Sequence, residues 1–284
     1  MNFFKKWITP FIASLILVII FRYFLFDFRI VSDNLMNNSL IKGDLILIQK
    51  RARIKRNNII LLDTTQGDYL IPHRLSRCVA IAGDTLQIKN SRVYINSKQS
   101  DLKTLRKRKI LSHYIFKSDS NNTQQLLLKN QVQFNQELAV FGIYNFYTDP
   151  KSLKKINKQN VWNWKQKVVT AKSLNSKKTA PFNKHFYWNN DNFGPLVIPS
   201  SGMTIDLNRA TFELYKQVLI KESGKKFILI GNIVYSDNKK IRTYTFQSDY
   251  YFVLNDHRQF PDDSRSFGFI SRNQILGKVA LKLF

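Results

Sequence analysis

Short apolar and alternating segments recur along most of the chain, and turn-forming residues separate them. Such segments are typical of β-strands, because alternate side chains of a strand point to opposite faces of a sheet. The pattern therefore predicts a mainly β domain, with one short helix around 204–218. The predicted strands lie at 45–48, 59–62, 79–81, 92–95, 227–230, 251–254 and 279–284, and the turns at 42–44, 67–68, 83–84, 223–224 and 237–238.

The amino-acid composition changes between Gln99 and about His185. This stretch is rich in Lys, Asn, Gln and Ser, has no clear hydrophobic period and contains the basic run 103–109. We interpret 100–186 as a basic, polar insertion that divides a β core into a first part, 27–99, and a second part, 187–284. A basic run usually forms a solvated face. A specific site for lipid or nucleic acid is the alternative.

One segment is apolar enough to cross a membrane. As a helix, residues 7–26 would span roughly 30 Å, the thickness of a bilayer core. Lys5 and Lys6 precede the segment and favour a cytoplasmic tail at 1–6. A cleavable signal peptide would need small residues after the apolar stretch, whereas Arg22 and bulky aromatic residues follow it. The sequence predicts an uncleaved single-pass anchor, with the main domain outside the cytoplasm.

The chain is strongly basic, with 45 Lys and Arg against 19 Asp and Glu and a formal net charge of +26. Such a charge favours a polyanionic partner. The basic residues are spread along the chain, and the main domain is predicted to face away from the cytoplasm, so we expect a membrane surface and no nucleic acid. Cys78 is the single cysteine of the 284 residues, which excludes an intrachain disulfide. No Cys/His cluster has the spacing of a metal site, so no metal and no cofactor are predicted.

Three segments carry the candidate chemistry. The first has Met36, Leu40 and Gly43-Asp44, the second has Arg77 and Gly83-Asp84, and the third has Asp256, Arg258, Asp263, Ser264, Arg265 and Gly268. In this order and behind an N-terminal anchor, they resemble bacterial type I signal peptidases. The segment 187–199 looks like the Bacteroidota branch of that family. The resemblance covers 25–50, 72–96, 187–207 and 244–281.

The resemblance implies a serine–lysine dyad. A serine just before a methionine attacks the peptide carbonyl, and a buried lysine, whose pKa is lowered by desolvation, takes the proton. It also implies a signal-peptidase-like β-rich domain, a bacterial inner-membrane location with the domain in the periplasm, and no cofactor. The implied substrates are exported preproteins, cut after small residues.

Both dyad positions carry other residues. Alignment on Met36 and Gly43 puts Leu35 at the nucleophile position, and alignment on Arg77 and Gly83 puts Ser76 at the lysine position. Leucine has no nucleophilic atom, and serine at pH 7 is not a base of lysine's kind. The sequence therefore predicts that no dyad residue is intact and that the retained residues form a scaffold or peptide-binding groove. That scaffold comprises Met36, Arg77, Gly83, Asp84, Asp256, Asp263 and Arg265.

A displaced Ser–His site is the alternative to an inactive one. Ser32 and Ser39 flank the nucleophile position, and Lys42 and His73 are the nearest bases. His73 is three residues from the lysine position, however, and an odd offset on a strand points to the opposite face.

The combined hypothesis is a membrane-anchored homologue that does not cleave and acts as a binding or assembly subunit in protein export or envelope biogenesis. Its expected partners are inner-membrane lipid, signal peptides or preproteins, and other membrane or envelope proteins, including an active signal peptidase paralogue. An active signal peptidase is the second hypothesis. A basic protein that binds anionic lipid or another polyanion is the third.

Overall fold

The computed structural model describes residues 2–36, 39–64, 73–100, 110–130, 132, 134–174, 179–181, 183, 185–260 and 262–284. The predicted turn at 67–68 and the basic run 103–109 lie outside the described residues. The chain begins with helix α1 (Asn2–Phe24), of which Lys6–Phe24 is long and apolar enough to cross a membrane, with a mean hydropathy of 1.9.

The apolar helix ends earlier than the predicted boundary at Phe26. A single residue, Leu25, separates Phe24 from strand β1 (Phe26–Ile30), because Phe26 already pairs with Gln49 of strand β2 (Leu45–Gln49). Lys50 braces this junction twice. Its backbone N–H donates to the Leu25 carbonyl at 2.8 Å, and its ammonium donates to the Tyr23 carbonyl at 2.9 Å. A cation at the C-terminal end of a helix also complements the helix dipole.

A seven-stranded sheet holds the first and second motifs beside the third. Its order is β1-β2-β19-β3-β4-β17-β18, with β3 (Ile59–Asp63), β4 (His73–Ala80), β17 (Tyr250–Leu254), β18 (Ile270–Ser271) and β19 (Ile275–Lys282). The central strand β4 is buried from Arg74 to Ala80. The apolar run 79–81 predicts only the end of this strand. Its start was missed because Arg74, Ser76 and Arg77 are polar and nevertheless buried.

The described residues between 110 and 167 form a unit with its own apolar cluster, called the 110–167 unit below. Strands β8 (Ser112–Lys117), β9 (Ile143–Thr148) and β10 (Trp164–Lys167) pair in the order β10-β8-β9, accompanied by helices α2 (Thr123–Lys129), α3 (Gln136–Ala139) and α4 (Pro150–Asn157). Phe116 and Phe146 stack at 4.8 Å between ring centroids within the cluster. The sequence interpretation did not predict these strands, although β9 alternates between half-buried and buried positions. The insertion boundaries at 100 and 186 stay a prediction.

A second sheet packs with a helix to form the largest apolar cluster of the described residues. The sheet has the order β11-β5-β6-β7, with β5 (Thr85–Lys89), β6 (Arg92–Ile95), β7 (Lys98–Gln99) and β11 (Phe193–Val197). Helix α5 (Arg209–Ser223) contributes Phe212, Tyr215, Val218 and Leu219 to the cluster.

The helix predicted at 204–218 is displaced towards the C-terminus. Asn208 caps its start by accepting from the Thr211 N–H at 3.1 Å, and Gly224, with φ of 66°, ends it in the left-handed region. Residues Thr204–Asp206 instead form strand β12, which pairs with β16 (Thr243–Thr245). In the sequence, a three-stranded sheet follows helix α5 and precedes β16. Its strands are β13 (Phe227–Ile230), β14 (Ile233–Ser236) and β15 (Lys239–Ile241). The prediction of a mainly β domain behind one apolar helix is confirmed.

Candidate functional site

The described residues of the first motif lie in a loop after β1 whose two ends are joined. The Val31 N–H donates to the Asp44 carbonyl at 2.9 Å and joins the two ends of the loop. Within the loop, the Asp33 carboxylate accepts from the Leu35 N–H at 2.9 Å. The side chain of Met36 is fully buried in an apolar cluster, whereas Leu35 is half-buried. Packing of Met36 therefore fixes the position of Leu35.

The loop contacts the third motif at two consecutive residues. The His257 N–H donates to the Leu35 carbonyl at 3.0 Å. The hydroxyl of Ser39 donates to the carboxylate of Asp256. The backbone of Leu35, at the predicted nucleophile position, thus lies against the third motif.

A buried ion pair joins the second motif to the other two. Arg77 Nε donates to Asp256 Oδ1 at 2.7 Å, and Arg77 Nη2 donates to Asp256 Oδ2, so the contact is bidentate. The side chains are 3% and 0% exposed, respectively. Arg77 Nη2 also donates to the Ser39 hydroxyl at 3.1 Å. Since this hydroxyl donates to one charged group and accepts from another, its hydrogen-bonding capacity is engaged in structure.

Ser76, at the predicted lysine position, is fully buried on β4. Its hydroxyl donates to Asn255 Oδ1 at 3.0 Å, directly after β17. The amide nitrogen of Asn255 donates to the carbonyls of Phe260 and Asp262, at 3.2 and 3.0 Å. The buried polar groups of the Ser76 and Asn255 side chains therefore have hydrogen-bond partners inside the core. We call Leu35, Ser39, Ser76, Arg77, Asn255, Asp256 and His257 the motif junction.

The Asp263–Arg265 pair stabilises the second half of the third motif, after Asp256. Arg265 Nε and Nη2 donate to the Asp263 carboxylate at 2.9 and 2.7 Å, and the Asn255 N–H donates to it at 3.0 Å. Asp263 also accepts from the Arg265 N–H at the start of helix α6 (Ser264–Phe267). Arg265 in turn donates to the carbonyls of Asn190 and Arg258. The pair links the motif junction to the segment before β11.

The Gly83-Asp84 turn lies at the end of β4. Gly83 has φ of 82°, which favours glycine. The Asp84 carboxylate accepts from Arg56 Nε at 2.7 Å and from the Ile81 N–H at 2.9 Å. Burial alone would raise the pKa of this carboxyl group, but the donors around it hold the pKa below its ordinary value. These contacts stabilise the turn at Gly83-Asp84.

Ser32, Ser39 and His73, the members of the alternative Ser–His site, are not brought together by hydrogen bonds among the described residues. Ser32 is exposed, and Ser39 is engaged by Asp256 and Arg77. His73 is half-buried at the start of β4, opposite Asp63. Across the described residues, neither serine shares a hydrogen bond with His73. The same part of the chain contains no group of three or more His, Cys, Asp or Glu side chains that could hold a metal ion.

The structure adds a group that sequence reasoning missed. His257 is half-buried, with its ring between Tyr147 and Phe260 at centroid separations of 5.5 and 4.4 Å, and its Nδ1 has no hydrogen-bond partner among the described residues. Burial lowers the pKa of this imidazole. Leu111 also reaches the third motif: its N–H donates to the Asp256 carbonyl at 3.3 Å. The 110–167 unit therefore packs directly against the motif junction.

Comparison with known proteins identifies the family. A family model described as signal peptidase, peptidase S26, matches residues 4–178 and 193–284. Signal peptidase I of Bacillus licheniformis is 31% identical over 98 residues, which are 33% of this chain and 51% of the relative. Signal peptidase I P of Bacillus subtilis subsp. natto is 30% identical over 111 residues, or 38% and 58%.

A streptococcal relative has a similar identity and coverage. Signal peptidase I of Streptococcus pneumoniae serotype 4 is 29% identical over 100 residues, which are 35% of this chain and 47% of the relative. The chain spans about half the length of the curated relatives it matches. The match of the family model to most of the chain, together with these relatives, establishes that the chain belongs to the signal peptidase family, peptidase S26.

Proposed function

We propose that this chain is a membrane-anchored signal peptidase homologue that does not cleave and that serves as a binding or assembly subunit in protein export or envelope biogenesis. The observation that carries the proposal is the buried hydrogen bond from Ser76 to Asn255. At the position where a dyad needs its base, a neutral hydroxyl donates to a neutral amide. Neither group takes up a proton near neutral pH.

The nucleophile position supports the same proposal. Leu35 offers only carbon atoms, and its backbone is held by Asp33 and His257. The nearby hydroxyl of Ser39 donates to Asp256 and accepts from Arg77. A serine becomes a nucleophile when a neighbouring base takes its proton, whereas Asp256 is already paired with Arg77 in a fully buried contact.

The proposed ligand is an extended segment of an exported preprotein, since the relatives are named signal peptidase I. Helix α1 supports attachment to the bacterial inner membrane, with the N-terminus in the cytoplasm and the main domain in the periplasm. The proposal assigns the chain to the Bacteroidota branch of the family. An active paralogue is the proposed partner that would perform the cleavage.

A cleavage assay tests this function. The purified full chain, in neutral detergent, is incubated with a preprotein that carries a signal peptide. The Leu35→Ser/Ser76→Lys variant is tested beside it, with Leu35→Ala/Ser76→Lys as a matched control that supplies the base without a nucleophile. We expect no product from the native chain or the control and measurable product from the first variant.

Cleavage by the native chain would contradict the proposal and favour an active signal peptidase with an unusual site. In that case, loss of activity in Ser39→Ala with unfolding temperature retained would identify Ser39 as its nucleophile. Thermal unfolding of each variant distinguishes an inactive site from a protein that has failed to fold.

A further inference from the structure

A cleft of about 460 Å³ lies between the 110–167 unit and the neighbouring part of the domain. One wall comes from the unit and includes Leu111, His113 and Lys167, and the other includes Arg92 at the start of β6 and Arg258 of the third motif. The cleft has the volume of a typical ligand site in proteins, which is about 300–1,000 Å³. It adjoins the motif junction, because Leu111 is hydrogen-bonded to the Asp256 backbone.

The charge of the cleft lining is positive. Arg92, Lys167 and Arg258 come from three separate segments and contribute three cationic groups. Among the described residues that line the cleft, Asp191 is the one acidic side chain, and its carboxylate accepts from the Ser91 hydroxyl and from the Thr170 N–H. Positive charge gathered in a concave surface raises the local concentration of anionic ligands.

The lining is also partly apolar. Ile110, Leu111, Pro150 and Val168 share the cleft with the cationic groups. A small inorganic anion would leave this apolar surface unused. A peptide that carries carboxylates on a chain with apolar side chains matches both features, because cationic groups on separate segments can each meet a different carboxylate.

We propose that this cleft binds an extended acidic peptide segment, with Arg92, Lys167 and Arg258 as the groups that recognise its carboxylates. The site lies beside the motif junction and does not include Leu35 or Ser76. The inference goes beyond the proposed function and is independent of it, since acidic peptide binds in the cleft whether or not the chain cleaves preproteins.

Fluorescence anisotropy tests the proposal with the full chain in neutral detergent. The probe is a labelled peptide of alternating Glu and Leu residues, and the matched probe has Gln in place of each Glu. We expect the acidic probe to bind at least tenfold more tightly than the Gln probe, a difference of about 1.4 kcal/mol. Equal binding of the two probes, or no binding of the acidic probe, would overturn the proposal.

Two variants locate the binding. Arg92→Glu/Lys167→Glu reverses two charges of the cleft, and Lys239→Glu/Lys240→Glu makes the same change of net charge on the exposed strand β15. We expect at least roughly tenfold weaker binding in the first and less than about twofold weaker binding in the second. Equal weakening in both would assign binding to the diffuse charge of the whole chain.

Two further measurements complete the test. Should the unfolding temperature of the charge-reversed variant drop, Arg92→Gln/Lys167→Gln replaces it. Vesicles with and without anionic phospholipid are compared as competitors. Binding of anionic vesicles that depends on Arg92 and Lys167, with no binding of the acidic peptide, would assign the cleft to a membrane surface and overturn the peptide proposal. Cleavage is not a readout here, so failure of this inference and failure of the proposed function are distinguishable.

Discussion

The hydroxyl of Ser76 on β4 donates to Asn255 Oδ1 after β17 at 3.0 Å, and both residues are fully buried. The resemblance of the sequence motifs implies a lysine at the position of Ser76 and a glycine at the position of Asn255. In that alignment, a short side chain takes the place of a long one at 76 and an amide is added at 255, so the proposed exchanges are complementary in volume and in polarity. This complementarity is the reason to regard the pair as a unit in the core.

Loss of the Ser76 hydroxyl should destabilise the domain. Ser76→Ala leaves the buried Oδ1 of Asn255 without its donor, and we expect the free energy of unfolding to fall by about 1–2 kcal/mol. Urea denaturation measures the change. Because both residues share one bond, Ser76→Ala/Asn255→Gly should lose less than the sum of the single variants. Additive losses would show that the pair is not coupled.

Removal of one partner of the Arg77–Asp256 pair should lower the free energy of unfolding by more than loss of the Ser76 hydroxyl does. Arg77→Met leaves a carboxylate that is 0% exposed without its counter-charge, and we expect a loss of about 3–5 kcal/mol. Lys225→Met, in the exposed pair with Asp237, is the matched control, with an expected change within about 0.5 kcal/mol. Similar losses in both variants by urea denaturation would refute a special role for the buried pair.

The sheet should not tolerate a methyl group at Gly277 of β19. A Cβ there would lie 2.6 Å from the Gln49 carbonyl oxygen and 2.6 Å from Ile48 Cγ2. We expect Gly277→Ala to lower the free energy of unfolding by about 1–3 kcal/mol, because β2 must move away. Gly231→Ala meets no atom within 4 Å and is strained only by φ of 62°, so a loss of about 1 kcal/mol is expected. A smaller loss in Gly277→Ala than in Gly231→Ala, measured by thermal unfolding, would contradict the steric argument.

His257 should make stability depend on pH. Burial between Tyr147 and Phe260 lowers the pKa of the imidazole below its ordinary 6.5, so the unfolded chain binds this proton more readily than the folded one. The resulting stability is fully present above pH 6.5 and is lost as the pH falls through the folded-state pKa. Urea denaturation at several pH values should show that His257→Gln reduces this loss. The exposed His185→Gln is the control and should retain it.

The sequence predicts those parts of the fold in which burial coincides with apolar composition. Strands β2, β3, β6, β13 and β17 were predicted within one or two residues, because each is an apolar or alternating run between turns. The start of β4 was not predicted, because Arg74, Ser76 and Arg77 are polar. They are buried because each bonds to a partner distant in the sequence.

The candidate site, like the fold, is only partly predictable from the sequence. The sequence selects Ser39, Arg77 and Asp256 through their motifs, and the structure brings the three into one hydrogen-bonded network. The packing of Leu111 and Tyr147 on the third motif was not predictable. It joins segments more than a hundred residues apart, and no local pattern encodes such a contact.

The one-residue junction between α1 and β1 has a geometric consequence. Leu25 is the only residue between helix and strand, and Lys50 donates to the carbonyls of Leu25 and of Tyr23 at the end of the helix. The domain therefore has no spacer with which to change its distance from the end of the helix. With α1 in a bilayer, we expect the motif junction and the neighbouring cleft to stay at a nearly constant height above the lipid. A ligand must reach that height by its own length.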